Sequence, residues 1–153
     1  MGFDLYGEHP TTESGGYFRN NVWWWRPLWV YVVAVCMDVL TERDAIEGHL
    51  NNGHWIHARQ AQAIAQRLAT LLAAGDVKRY EQDYRARLDK LPLEPCEHCQ
   101  GTGTRNDQHV KGQCNACNGR GKGETWATHY PFSVDNVREF ADFCAHSGGF
   151  RIC

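Results

Sequence analysis

The sequence predicts a mainly α fold: a small helical domain carrying one inserted segment that a metal folds in place of a core. Three observations carry this expectation. Two stretches, about 56–74 and 133–147, space their apolar residues three and four apart. A ten-residue apolar run, Leu28–Met37, lies between Arg26 and Asp38; it is about half of what a bilayer needs and suits a buried central helix. Finally, Cys96-Glu97-His98-Cys99-Gln100-Gly101-Thr102-Gly103 is repeated as Cys114-Asn115-Ala116-Cys117-Asn118-Gly119-Arg120-Gly121, both reading C-x-x-C-x-G-x-G. Four thiols in two such pairs can close a tetrahedral shell around one zinc ion, and the glycines free the backbone for tight turns. The expected insert is therefore a four-cysteine zinc finger with short hairpin-like loops. The expected boundaries are 1–94 for a helical core with an irregular N-terminal segment, 95–123 for the finger, and 124–153 for a C-terminal helix and tail packed on the core.

Residues 1–21 have a short apolar patch at Phe3, Leu5 and Tyr6 and then turn polar through Gly15-Gly16, so they are read as irregular, with room for one short strand. Asn20 or Asn21 can cap the next helix and Pro27 suits a first turn; that helix is expected to run to about Leu40. Thr41-Glu42-Arg43-Asp44 places acid after a capping residue and opens a short helix that Asn51-Asn52-Gly53 ends. Ala61, Ile64, Ala65, Leu68, Leu71 and Leu72 give the following helix one apolar face. Gly75 ends it and Asp76 caps another, whose face is Val77, Tyr80, Tyr84, Leu88 and Leu91 and whose other side carries mixed charges suited to water. After the finger, Ser133 caps a helix with a Val134, Val137, Phe140, Ala141 and Cys144 stripe. Gly148-Gly149 stops it, leaving Phe150–Cys153 as a tail.

Bulk composition narrows the class. With 153 residues, 42% apolar and 22% charged, the chain fits one domain with a small insertion, and six tryptophans support a real core. Of seven cysteines, four sit in the paired motif and Cys36, Cys144 and Cys153 are scattered, a pattern for a reducing compartment rather than a disulfide framework. No signal peptide or myristoylation pattern is visible at Met1–Tyr6, so a cytoplasmic location is expected, with no membrane role. Net charge is −2. Within the finger, Arg105, Lys111, Arg120 and Lys122 are cancelled by Glu97, Asp107 and the charge of about −2 on a loaded four-thiolate zinc site. No basic stripe of the kind nucleic-acid readers show is left over.

The octet resembles the cysteine-rich zinc repeat of DnaJ-type co-chaperones, in which four copies hold two zincs; two copies here imply one zinc per chain, on Cys96, Cys99, Cys114 and Cys117. The resemblance covers Cys96–Gly121. It does not extend to a J domain, because His9-Pro10-Thr11 stands where no helical hairpin carries a His-Pro-Asp loop. A redox reading of Cys96-Glu97-His98-Cys99 is the competitor, but a thioredoxin-like pair opens a helix after a strand, whereas this one follows Pro95 and precedes glycines. His98 and His109 can replace a thiol, though with four cysteines neither is needed. The start Met1-Gly2-Phe3-Asp4-Leu5-Tyr6-Gly7 together with Asn20-Asn21-Val22-Trp23-Trp24-Trp25-Arg26-Pro27-Leu28-Trp29 is similar to small proteins associated with bacteriophages.

Three consecutive tryptophans cannot share one helix face, since neighbours lie about 100° apart. Trp23, Trp24, Trp25 and Arg26 are thus candidates for a contact surface, against the alternative that they glue the N-terminal segment and the last helix to the central one. His49, His54 and His57 form a third cluster, either a second ligand site or capping and surface histidines. No P-loop, G-x-S-x-G or H-E-x-x-H motif is present, and no pair of carboxylates is placed for acid–base work. The expected function is a non-enzymatic, zinc-stabilised interaction protein that binds a host or viral protein complex, for example to inhibit a host defence such as CRISPR-Cas. Its contacts would come from the tryptophan segment and from Arg105, Lys111, Arg120 and Lys122. The alternatives are a zinc-finger nucleic-acid binder using those basic residues, and a co-chaperone-like holdase. The oligomeric state is left open.

Overall fold

The structure is a computed structural model and describes residues 2–153. In chain order it contains β1 (Gly2–Gly7), α1 (Glu13–Gly16), β2 (Tyr17–Asn21), α2 (Val22–Val35), α3 (Glu42–Glu47), β3 (His54–Ile56), α4 (Ala58–Ala73), α5 (Asp76–Asp89), β4 (Glu94–Pro95), β5 (Thr104–Asn106), β6 (Lys111–Gln113), β7 (Lys122–Gly123), a 3₁₀ turn at Trp126–His129, α6 (Val134–His146) and β8 (Phe150–Ile152). It divides into two compact units: Met1–Arg85 with Tyr130–Cys153, and Ala86–His129.

The first unit corrects the mainly α expectation. Helices hold 47% of the chain and strands 18%, and four of those strands form an antiparallel sheet in the order β2-β1-β8-β3. The class is α/β. The segment expected to be irregular is a hairpin of β1 and β2 joined through α1, paired from Gly2↔Asn21 to Tyr6↔Tyr17. The expected tail is β8, an interior strand between β1 and β3, with Leu5↔Ile152 and His54↔Ile152 in register. Side chains alternate across it: Phe150 and Ile152 are fully buried while Arg151 is exposed. Phe3, Leu5, Phe18 and Ile56 bury the same face from the other strands.

Helices cover that face. The apolar stripe of α4 (Ala61, Ile64, Ala65, Leu68) meets the stripe of α6 (Val137, Phe140, Ala141, Phe143, Cys144). Helix α2 starts at Asn21, whose side chain accepts from the N–H groups of Trp23 and Trp24. It ends at Val35 rather than about Leu40, because Cys36 leaves helical geometry at φ −123° and the chain turns through Val39 and Leu40. Pro27 is the sixth residue of α2, not part of its first turn, and it brings no N–H to the helical ladder. On the other side of α2, the Trp25 ring stacks between Phe3 at 5.4 Å and Trp29 at 5.3 Å.

Thr41 and Asp44 form a reciprocal capping box at α3. Asp44 is 6% exposed, and its Oδ2 also accepts from Gln60 Nε2 at 2.7 Å while its Oδ1 meets His54 Nε2 at 2.8 Å. Burial pushes its carboxyl up, but the Thr41 N–H, His54, the Thr41 hydroxyl and Gln60 outweigh burial and hold it below the ordinary carboxylate range. A carboxyl with a depressed folded value stabilises above its unfolded value of about 3.9, and that contribution is lost as pH falls through the folded value. Asp44→Asn is therefore expected to cost about 1–3 kcal/mol at neutral pH by stranding the donors around it. The gap from wild type should narrow in acid, as read by urea denaturation at several pH values.

Candidate metal centre

The second unit holds the repeated octet, and its geometry explains the octet residue by residue. Gln100 and Asn118, the positions after each cysteine pair, both adopt left-handed backbone at φ 52° and 50°. Each copy closes the same turn: Gly101 N–H donates to Cys96 O at 3.2 Å and Gly119 N–H to Cys114 O at 3.0 Å. The final glycine of each copy donates its N–H to the second cysteine sulfur, Gly103 to Cys99 Sγ and Gly121 to Cys117 Sγ, both at 3.3 Å. The copies then lock together reciprocally, Cys96 N–H to Gly121 O and Cys114 N–H to Gly103 O, each at 2.9 Å. The unit thus has an approximate two-fold symmetry written by the sequence repeat.

Gly103 and Gly121 are fixed twice over. Their φ values are 78° and 69°. A Cβ at Gly103 would also lie 2.5 Å from Gly119 O, and one at Gly121 would lie 2.3 Å from Gly101 O. Hairpin β5–β6 joins the two copies, and β4 pairs with β7 to close the base of the unit.

This arrangement brings the Sγ atoms of Cys96, Cys99, Cys114 and Cys117 within 4.8 Å of one another, all buried. Cys96 Sγ lies 4.0 Å from Cys114 Sγ, and Cys99 Sγ 3.8 Å from Cys117 Sγ. A disulfide would need about 2.05 Å. A tetrahedron with metal–sulfur bonds of about 2.3 Å has edges of about 3.8 Å, which the observed separations match. The four cysteines can hold a metal ion. Among the described residues no other group of three or more His, Cys, Asp or Glu side chains converges in this way.

Burial pushes Cys99 up, but the Gly103 N–H and the neighbouring sulfurs outweigh burial and bring it down to about 7. Burial and the same neighbours raise Cys117 to about 11, against the Gly121 N–H. A thiol already inclined to ionise suits a set of sulfurs that can hold a soft cation.

The other sequence candidates are dispersed. In the first unit, Trp25 is fully buried and its Nε1–H donates to Gly48 O at 2.8 Å, so it is core and not a contact surface. Trp23 and Trp24 are half-buried, Trp23 against Tyr130 at 4.9 Å, and Arg26 is exposed. His54 is tied to Asp44, His57 packs its ring 4.6 Å from Trp55, and His49 is half-buried, its basicity lowered by burial and then by Arg26. The three histidines do not meet around a common point.

In the second unit, Arg105 is ion-paired to Asp107 at 2.6 Å and also bonds Asn115, while Arg120 donates to Cys117 O. Lys111 and Lys122 are exposed. Sequence reasoning missed Trp126, which is 58% exposed and lines a cleft of about 450 Å³ with Glu97, His98 and Arg120. The only signal for it was an aromatic residue just outside the repeat.

No helix among the described residues is long and apolar enough to cross a membrane. Comparison of the chain with known protein families, curated proteins and solved structures finds no match.

Proposed function

We propose that this is a non-enzymatic binding protein whose second unit is a zinc-stapled contact module, similar in its metal chemistry to the DnaJ-type cysteine-rich repeat. The observation that carries the reading is the composition of that unit. Its buried side chains are the four cysteines, while Trp126, Leu93 and Leu91 stand 58%, 54% and 39% exposed. A segment that gives its buried interior to four thiols and leaves a tryptophan and two leucines outside is built to present a surface. Zinc fits the site because it accepts four thiolates tetrahedrally and has no redox chemistry of its own. Trp126 and Arg120, which line one cleft, have the composition of a binding hot spot for a protein partner. A host or viral complex, including a defence complex, is one form such a partner can take.

Affinity capture from host lysate with and without nuclease, run in parallel on wild type and Trp126→Ala, tests the reading. A stoichiometric protein that survives nuclease and is lost with Trp126→Ala supports it. Equal capture by both proteins, or capture that disappears with nuclease, contradicts it.

A further inference from the structure

The first unit carries a second surface that the finger reading does not use. Cross-strand register aligns Tyr17, Tyr6, Arg151 and Trp55 in one row over all four strands, on the face of the sheet opposite the core. Tyr6, Tyr17 and Trp55 are 50%, 47% and 44% exposed. Tyr6 and Tyr17 lie 5.3 Å apart, and the Arg151 guanidinium stands 5.9 Å over the Trp55 ring. Three strand spacings of about 4.8 Å make this a π-faced track about 14 Å long.

The track runs into a cleft of about 770 Å³ at the β3 edge, whose lining includes Arg43, Arg59, His54 and Trp55 and the carboxylates of Asp44 and Glu47, the latter held by Asn52. Arg43 and Arg59 are exposed and have no ion-pair partner among the described residues, whereas Arg19 and Arg151 are paired to Asp4 and Glu8. The buried Asp44 holds His54 by Nε2. Its Nδ1 has no protein partner, and because no buried side-chain nitrogen or oxygen is left unpartnered, that nitrogen reaches solvent.

We propose that this face binds single-stranded nucleic acid, the bases stacking on Trp55, Tyr6 and Tyr17 and a phosphate seated between Arg43 and Arg59. Exposed aromatics along an antiparallel sheet suit unpaired bases, because every base offers a π face and a duplex does not. A free nucleotide would fill the cleft but leave the tyrosine end of the track unused. The carboxylates of Asp4 and Glu8 neutralise the two arginines on the sheet, so the electrostatic share comes from two guanidiniums only.

Fluorescence anisotropy of a labelled twelve-nucleotide single strand on the full-length protein tests this, with duplex and AMP as competitors. The expected result is single-strand binding whose log affinity falls against log salt with a slope of about −1.4, for two phosphate contacts on a single strand. Trp55→Ala should weaken it by about five- to a hundred-fold, and the double change Arg43→Ala/Arg59→Ala should flatten the salt slope. Lys111→Ala/Lys122→Ala in the finger should change nothing. Absence of binding, equal competition by duplex or AMP, or binding insensitive to the arginine variant would overturn the proposal. Because Arg43 and Arg59 are surface side chains, the arginine variant decides the matter even if Trp55→Ala misfolds.

Discussion

Cys114→Ser is expected to unfold residues 86–129 and leave the first unit folded. The thiol removed is fully buried, and the side chains buried with it are the other three cysteines. No hydrophobic layer stands behind them. Structural zinc contributes on the order of 10–16 kcal/mol to finger peptides, so an ion held by these thiols would in effect be the whole core of this unit. Serine leaves three thiolates and a hydroxyl with little affinity for the ion. The lost metal affinity should well exceed the 10–100-fold typical of changes outside the ligand shell. Amide hydrogen exchange reads the outcome by region: amides of 96–121 should lose protection while those of β1, β8, α4 and α6 keep theirs. Collapse of both regions together would show that the second unit supports the first, and retained protection in 96–121 would show that the loop folds without an ion on these thiols.

The second large effect lies in the first unit. Trp25→Ala is expected to cost about 3–5 kcal/mol, the range for emptying a large aromatic site. Trp25 is wholly buried, stacks on Phe3 and Trp29, meets Phe140 edge-on at 5.7 Å, and satisfies the Gly48 carbonyl. The cavity would open where β1, α2 and α6 converge, among the rings of Phe3, Trp29 and Phe140. Against a total stability of about 5–15 kcal/mol for a domain, such a loss brings the unit close to its threshold. Trp25→Phe keeps the stacking and loses the indole donor, so it should cost less, about 1–3 kcal/mol for the stranded carbonyl. Chemical denaturation of both variants measures the difference. Equal and small costs would mean that the tryptophan is peripheral to the fold.

Several features could be read from local sequence because their causes are local. The apolar spacing of α4 and α6, the Ser133 and Thr41 caps and the break at Gly75, where φ is +78°, all act within a few residues. The octet is of the same kind, since ligand spacing and glycine positions set the turn that gathers the thiols. The sheet has no such local cause. Strand β3 is His54-Trp55-Ile56 and β8 is Phe150-Arg151-Ile152, each too short for alternation to stand out against a turn or a tail. Strand β8 is specified by Leu5 and Ile56 across the chain. Gly148 and Gly149, correctly a helix stop, also aim the chain back into the sheet. The Asp44–His54 pair was hidden for a related reason: Thr41-x-x-Asp44 reads fully as a cap, and nothing nearby shows that the other carboxylate oxygen holds a strand residue.

The four thiols are expected to hold one zinc ion. Native mass spectrometry of the intact protein, followed by thiol alkylation before and after mild acid, measures this directly. The predicted result is one zinc per chain, with Cys96, Cys99, Cys114 and Cys117 protected until acid reprotonates them and releases the ion. A metal-free chain with these cysteines alkylated at once, or joined as disulfides, would contradict it.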